Sequence, residues 1–432
     1  MGHPLSIVPM SQAHDHPRDP IGWSAAIAIA FFGMCLIRLA VPTEPYFDEI
    51  HYLPAARALI EGSEYLNREH PLLGKELIGL GIALLGDNAW GWRIMPALAG
   101  ALALFAFTRA IWFSTLSRFA AVSYAVLLAS GFVLFVHSRI AMLDVFFVAF
   151  IALALWQCAA AVREPETGRL RLAFAGVALG LSMAAKWNAV PIAMLPGLAF
   201  LVARFAAGRR RLFTSRRGIP VPGVSLVEAA LWLGLVPLAV YWLTFLPAYF
   251  FAQSPLPANG FIALHREIIA LQESVVEPHP YQSRWTDWIF NLRAIWYLYG
   301  PIEGSHRGIV LIGNPLTMLL GLPAMVWAAW RAITGDRAAM AIVVLFAVSL
   351  GFWIVVNKPI QFYYHYFLPS CFLLAALAMA LDALWQCGRR KLAVGALIAS
   401  GALFAWFYPI LSAAPLAGEQ SFTAWTWLYG WR

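Results

Sequence analysis

Asp48 and Glu49 stand side by side in "VPTEPYFDEIHYLPAARALIEG" (41–62), directly after the first long apolar run. Further along, Arg93 opens a second apolar run, "HSRIAMLD" (137–144) carries Arg139 and Asp144, "KWN" (186–188) carries Lys186, and "NKPIQFYYHY" (357–366) carries Lys358 and His365. Ionisable side chains near membrane depth are costly, so each raises a functional hypothesis. Clustered Arg and Lys bind phosphate through charge-assisted hydrogen bonds, and a phosphate at a bilayer boundary is most naturally the head of a lipid. A carboxylate beside it can take a proton from an acceptor hydroxyl as general base. A lipid phosphate leaves as an anion that the cations stabilise, so no general acid is required. One base and several cations suffice for glycosyl transfer from a lipid-phosphate sugar, and a single displacement inverts the anomeric carbon.

Taken singly, each of these residues has a plainer reading. Arg139 and Lys186 at helix ends can snorkel to headgroups, Asp144 can clamp Arg139 across a turn, and His279 and His365 can be satisfied interfacial histidines. Their joint occurrence on one side of the membrane is what favours a site.

The elements that place them there follow from composition. The 432 residues are 61% hydrophobic and 12% charged, with 19 Trp and 29 Phe, far from the averages of soluble domains. Apolar stretches long enough for a hydrocarbon core of about 30 Å occur at about 22–41, 90–112, 118–137, 140–162, 170–186, 187–206, 226–249, 309–330, 338–356, 364–384 and 392–412. Eleven crossings are therefore expected. With residues 1–21 as a cytoplasmic tail, the cytoplasmic segments hold 17 of the 30 basic but only 7 of the 22 acidic residues, the asymmetry of the positive-inside rule. The net charge of +8 thus speaks of membrane orientation and not of nucleic acid. Odd parity places the C-terminal tail, 413–432, outside. The four cysteines, Cys35, Cys158, Cys371 and Cys387, have no metal-ligand spacing, and with no Asp-x-Asp motif near the site, metal-independent chemistry is expected.

Two outer segments are long, 42–89 within the catalytic core (22–249) and 250–308 before the C-terminal spans (309–412). In the first, "DEIHYLPAARALIEG" and "PLLGKELIGLGIALLG" have helical apolar spacing but are too short or too polar to span, which predicts helices lying in the interface plane. Asp48 then falls near a helix start, where the helix dipole and the cations would favour its ionised form. Adjacent helical residues diverge by about 100°, so Asp48 is read as the base and Glu49 as a positioning group. A transporter or flippase would more often bury charge at the midplane; span 226–249 carries only Glu228, near its inner end.

In order along the chain stand "FDEIHY", "REHPLLGKELIGLG", "GDNAWGWRIMPALAG", "HSRIAMLDVFF", "LGLSMAAKWNA", "HPYQSRW", "IWYLYG", "GNP" and "YYHYFLPS". With these the chain resembles the protein O-mannosyltransferase family in its compact bacterial form. The resemblance implies an all-α polytopic membrane protein of the GT-C fold, acting on the outer face of the inner membrane. It implies a polyprenyl-phosphate sugar, usually mannose, as donor, a Ser or Thr hydroxyl of a secreted protein as acceptor, and no cofactor. Asp48 and Glu49 fall on the family's acidic motif. Arg93 matches an essential Arg, Arg139, Asp144 and Lys186 fall around the donor phosphate, and His51, His279, Tyr281 and His365 fall where donor and acceptor are positioned. Two departures stand out: Leu72 replaces a proline of the family's "HPPLGK", and the 250–308 segment has no room for an extra soluble β-domain. A lipid or polysaccharide acceptor is the alternative with the same chemistry.

Overall fold

The structure is a computed structural model, which describes residues 18–208, 211–274, 276–356 and 358–432; most of the expected cytoplasmic tail lies outside the described residues. In chain order the helices are α1 (Ile21–Leu36), α2 (Glu49–Glu61), α3 (Leu73–Leu85), α4 (Ala89–Thr115), α5 (Arg118–Ala129), α6 (Val133–His137), α7 (Asp144–Arg163), α8 (Gly168–Ala185), α9 (Val190–Ala206), α10 (Leu226–Ala230), α11 (Val236–Leu243), α12 (Phe261–Ser274) and α13 (Trp285–Ile289). A hairpin of β1 (Ile295–Ile302) and β2 (Ser305–Leu311) follows, then α14 (Pro315–Ile333), α15 (Arg337–Val355), α16 (Phe367–Gln386) and α17 (Arg390–Leu411).

Among the described residues nine helical segments are long and apolar enough to cross a membrane. Two shorter apolar helices, α1 and α5, occupy the first and third expected places, so all eleven expected spans have a helical counterpart. α2 and α3 form within the first long loop, where the sequence pattern puts interfacial helices.

The expected eighth span differs at its start. Residues 309–311 belong to β2, and α14 begins only at Pro315. Asn314 is the reason: its side chain accepts a hydrogen bond from Leu316 N at 3.2 Å, and Pro315 has no N–H to leave unpaired in the first turn. The apolar run ahead of this cap pairs antiparallel with β1, closed by a two-residue turn at Glu303 and Gly304, both at positive φ.

The hairpin and its neighbours gather the first loop and the C-terminal tail on one face. Thr43 N donates to Glu303 Oε1 at 2.8 Å, Leu416 N to His306 O at 2.8 Å, and Trp431 Nε1 to Asn291 O at 2.7 Å. The first loop, the second loop and the C-terminal tail therefore share one side of the helix layer. The opposite helix ends converge too, with Thr115, Arg163, Arg331, Arg337 and Asp382 around a common cavity.

Small residues set the closest approaches, as expected for helices packed without a hydrophobic driving force between them. Gly176 and Gly180, four apart on α8, lie against the 226–243 segment: a Cβ on Gly176 would run into the Trp232 carbonyl, and one on Gly180 would stand 2.6 Å from that of Pro237. Gly401 on α17 has open space. Gly176→Ala is expected to lower the thermal midpoint in detergent by an overpacking cost of about 1–3 kcal/mol, whereas Gly401→Ala should not. Equal midpoints for the two variants would refute the contact.

Candidate active site

The site is built on a buried ion pair. Glu49, the first residue of α2, and Arg93, in the first turns of α4, are both fully enclosed. Arg93 Nε and Nη2 donate to the two Glu49 oxygens at 2.8 Å each, and its remaining N–H groups reach the carbonyls of Leu39, Pro42 and Glu44 at 3.1, 2.6 and 3.2 Å. Glu49 also accepts from Ala141 N at 2.9 Å and Tyr46 N at 3.3 Å. A planar fork meeting a carboxylate in this way offsets the desolvation of both charges. It also ties together the end of α1, the start of α2, α4 and the turn before α7.

Arg139 does related work one layer away. Its guanidinium donates to the carbonyls of Cys35, Ile37, Arg38 and Ser412, at and just beyond the ends of α1 and α17. Arg93 and Arg139 are expected at the donor phosphate; here Glu49 and backbone carbonyls engage their guanidinium groups, except for Arg139 Nε, which is buried without a partner, and neither residue lines the cavity described next.

Asp48 faces away from Glu49, into a cavity of about 210 Å³. Around it stand His51 and Tyr52 from α2, Glu69 and His70 from the loop before α3, Lys186 at the end of α8, Gln272 from α12, and Lys358, Tyr364 and His365 from the segment before α16. Lys186 Nζ is held by Asp144 Oδ2 at 2.7 Å and lies 5.3 Å from the Tyr364 ring centroid. Lys358 Nζ donates to Gln272 Oε1 at 3.0 Å, while Gln272 Nε2 donates to Glu69 O at 2.7 Å. His365 accepts from Phe362 N at 3.0 Å and stacks on Trp353 with centroids 3.8 Å apart. Behind the loop, buried Lys75 donates to the carbonyls of Leu66, Asn67 and His70, which shapes the rim that presents Glu69 and His70.

Electrostatics single out Asp48. Among the described residues its carboxylate accepts no hydrogen bond, and burial pushes its pKa up to about 6, with Asp144 acting in the same direction and Lys186, His51 and Lys358 opposing. The expected dipole-lowered carboxylate is therefore overturned, because desolvation outweighs the nearby cations. Burial likewise lowers Lys358 to about 8, helped by Lys186. His70 is pushed well below the imidazole range by burial and by Lys186, Lys358 and Lys75.

A carboxylate poised near neutrality opposite two ammonium groups, walled by aromatic rings, is an acid–base and anion site in one. The chain's likeness to known proteins says which kind. The dolichyl-phosphate-mannose-protein mannosyltransferase family model matches residues 25–250, and that of the C-terminal four-transmembrane region of protein O-mannosyltransferases matches residues 257–431. The chain belongs to the protein O-mannosyltransferase family. It is a membrane glycosyltransferase. The polyprenol-phosphate-mannose–protein mannosyltransferase of Mycobacterium tuberculosis is 28% identical over 456 residues, 90% of this chain and 87% of that protein. The protein of the same name from Mycolicibacterium smegmatis is 29% identical over 491 residues, 95% and 93% of the two chains. In three dimensions the mannosyltransferase is similar to the Saccharomyces cerevisiae Pmt1–Pmt2 complex bound to the sugar donor, with a TM-score of 0.80, 15% identity and coverage of 95% and 92%. It also resembles ArnT from Cupriavidus metallidurans, with a TM-score of 0.57, 15% identity and coverage of 94% and 68%. These likenesses place it in the GT-C fold.

Of the residues singled out in the mannosyltransferase sequence, the structure brings Asp48, His51, Lys186 and His365 to the cavity, with Asp144 behind Lys186. His279 is exposed at the rim, its ring set edge-on to Phe362 at 5.1 Å, and Tyr281, half-buried, donates its N–H to His279 Nδ1 at 3.1 Å; neither lines the cavity. Glu69, His70, Gln272 and Tyr364 line it without having been assigned a role. Glu69 and His70 sit inside "REHPLLGK" and Tyr364 inside "YYHY", so motif signal was present; Gln272 on α12 carries none.

Removing the Glu49 carboxylate would leave Arg93 buried and uncompensated. Glu49→Ala is expected to cost about 3–5 kcal/mol of stability, seen as a lower thermal midpoint, while Asp48→Asn should keep the midpoint of the parent. A Glu49→Ala protein as heat-resistant as the parent would deny the pair its structural role.

Proposed function

We propose that this protein transfers mannose from a polyprenyl-phosphate donor to a Ser or Thr hydroxyl of a secreted polypeptide, with inversion, at the extracytoplasmic face of the plasma membrane. The observation that carries the reading is Asp48, a carboxylate that accepts no hydrogen bond among the described residues and whose pKa burial pushes up to about 6, sharing one cavity with Lys186 and Lys358. The names of the mycobacterial relatives, at 28–29% identity over most of the chain, support donor and acceptor class.

In the reaction Asp48 takes the acceptor hydroxyl proton as the hydroxyl oxygen attacks the anomeric carbon from the face opposite the phosphate. The anomeric C–O bond breaks, and its electron pair leaves on the polyprenyl phosphate. Lys186 has one N–H engaged by Asp144, and Lys358 one engaged by Gln272. Each ammonium carries three N–H groups, so two on each remain for phosphate oxygens as charge builds there. Asp144 keeps Lys186 oriented. A base of pKa about 6 is both ionised at neutral pH and stronger than an ordinary carboxylate. Support for this side of the membrane comes from the positive-inside pattern of the sequence, with Arg163, Arg331 and Arg337 at the helix ends opposite those that carry the cavity.

Asp48→Asn is expected to abolish mannosyl transfer, by a thousandfold or about that, with donor binding retained; near-normal turnover would remove Asp48 as the base. Since the base must be ionised and Lys358 protonated, kcat/KM should rise with pH through about 6 and fall above about 8. Lys358→Arg should extend the alkaline limb, because guanidinium does not deprotonate in that range. A flat profile between pH 5 and 9 would contradict both assignments. A reporter fused after Arg432 should read extracytoplasmic; a cytoplasmic signal would invert the proposed orientation.

A further inference from the structure

A second cavity, of about 450 Å³, opens beside the first and shares Lys358 with it. Its walls are Arg284, Trp285, Asp287 and Arg293 from the second outer loop and Pro359 and Gln361 from the segment before α16. We infer that this cavity is the seat of the acceptor polypeptide and that it selects acidic residues flanking the modified hydroxyl. The inference rests on the proposed mannosyl transfer and deepens it by naming the acceptor class.

Location comes first. The donor is a lipid and reaches the chemistry from the bilayer, but a polypeptide must arrive from water. The second cavity is formed almost wholly by loop residues on the face shared by both long outer segments, with Trp353 alone coming from a spanning helix. At about 3.3 Å per extended residue, a space of this size takes a stretch of roughly three residues, with its next residue at Lys358 and the first cavity.

Rigidity is the second observation. Ser283 N donates to Gln361 O at 2.8 Å, Trp288 Nε1 donates to Ser283 Oγ at 2.8 Å, and Arg284 N donates to Asp287 Oδ2 at 2.8 Å. The two walls are thus tied together before any ligand arrives, and a preformed groove binds at lower entropic cost.

Charge is the third. Arg284, Arg293 and Lys358 face a single carboxylate, Asp287, one of whose oxygens is engaged at the start of α13. Among the described residues neither arginine forms an ion pair; Arg293 Nη2 donates to the Pro280 carbonyl, and its Nε is buried without a partner. Gln361 Nε2 already donates to the Trp353 and Lys358 carbonyls and Gln282 Oε1 accepts from His279 N, which leaves Gln361 Oε1 and Gln282 Nε2 for a peptide backbone, and the half-buried Trp285 supplies an apolar floor. A net positive, amide-lined groove beside a base favours an acidic peptide over a neutral one.

The test uses the full chain in detergent with polyprenyl-phosphate mannose and three synthetic peptides sharing one Thr core, flanked by Asp and Glu, by Asn and Gln, or by Lys. The acidic peptide should show a KM lower than the neutral one by on the order of three- to tenfold, with similar kcat, and the gap should narrow in high salt. The double variant Arg284→Glu, Arg293→Glu should reverse the order in favour of the Lys-flanked peptide, which a merely structural role for the arginines would not do. Equal KM values in the parent, or an acidic preference that survives the reversal, would overturn the inference. Fluorescent versions of the peptides titrated onto Asp48→Asn protein read the same preference without turnover. A charge preference in binding thus stands or falls whether or not Asp48 is the base.

Discussion

The Arg93 guanidinium is the constraint on which the outer face depends. It sits with no exposure at the top of α4, and it satisfies five acceptors at once: both oxygens of Glu49 and the carbonyls of Leu39, Pro42 and Glu44. A charge buried at membrane depth persists only if every donor is matched. That requirement dictates the path of the chain between α1 and α2. Once Glu49 is drawn inward, the helical rotation leaves Asp48 no choice but the other direction, toward Lys186 and Lys358.

The neighbouring groups obey the same economy of buried polar atoms. Arg139 occupies the carbonyls at the end of α1, and Lys75 occupies those of residues 66–70. Both hold backbone in place and leave the cavity to others. Asp48 differs from them: its half-buried carboxylate accepts no hydrogen bond among the described residues and faces the cavity. Lys186 is held by Asp144, and Lys358 is linked through Gln272 to the loop that carries Glu69. Burial therefore disfavours the charged form of Asp48, while hydrogen bonds keep the two ammonium groups oriented.

The second outer loop supplies what the membrane core does not. The hairpin of β1 and β2 and the C-terminal tail lock together through Leu416, Asn291 and Trp431, and they provide a firm base for the segment 282–293. That segment meets residues 358–361 and shapes a groove beside the cavity. The groove and the cavity that holds Asp48 thus lie side by side and share Lys358.

Much was decided by the sequence alone. Apolar runs of the length of a bilayer announce eleven spans because a helix satisfies all its backbone groups within one such segment, and the Asn314–Pro315 cap is a local signal that explains why one of them starts late. The ordered motifs from "FDEIHY" to "YYHYFLPS" identify the family, and the adjacent Asp48 and Glu49 single out the stretch that carries both the buried ion pair and the cavity carboxylate. Local sequence could not tell which cations face the substrate. Arg93, Arg139, Lys186 and Lys358 look alike as isolated charges at helix ends, and only tertiary packing reveals that carbonyls engage the first two while the last two line the cavity. Nor could it give the sign of the shift at Asp48, since desolvation depends on which distant segments, α12 and residues 358–365 among them, close over it.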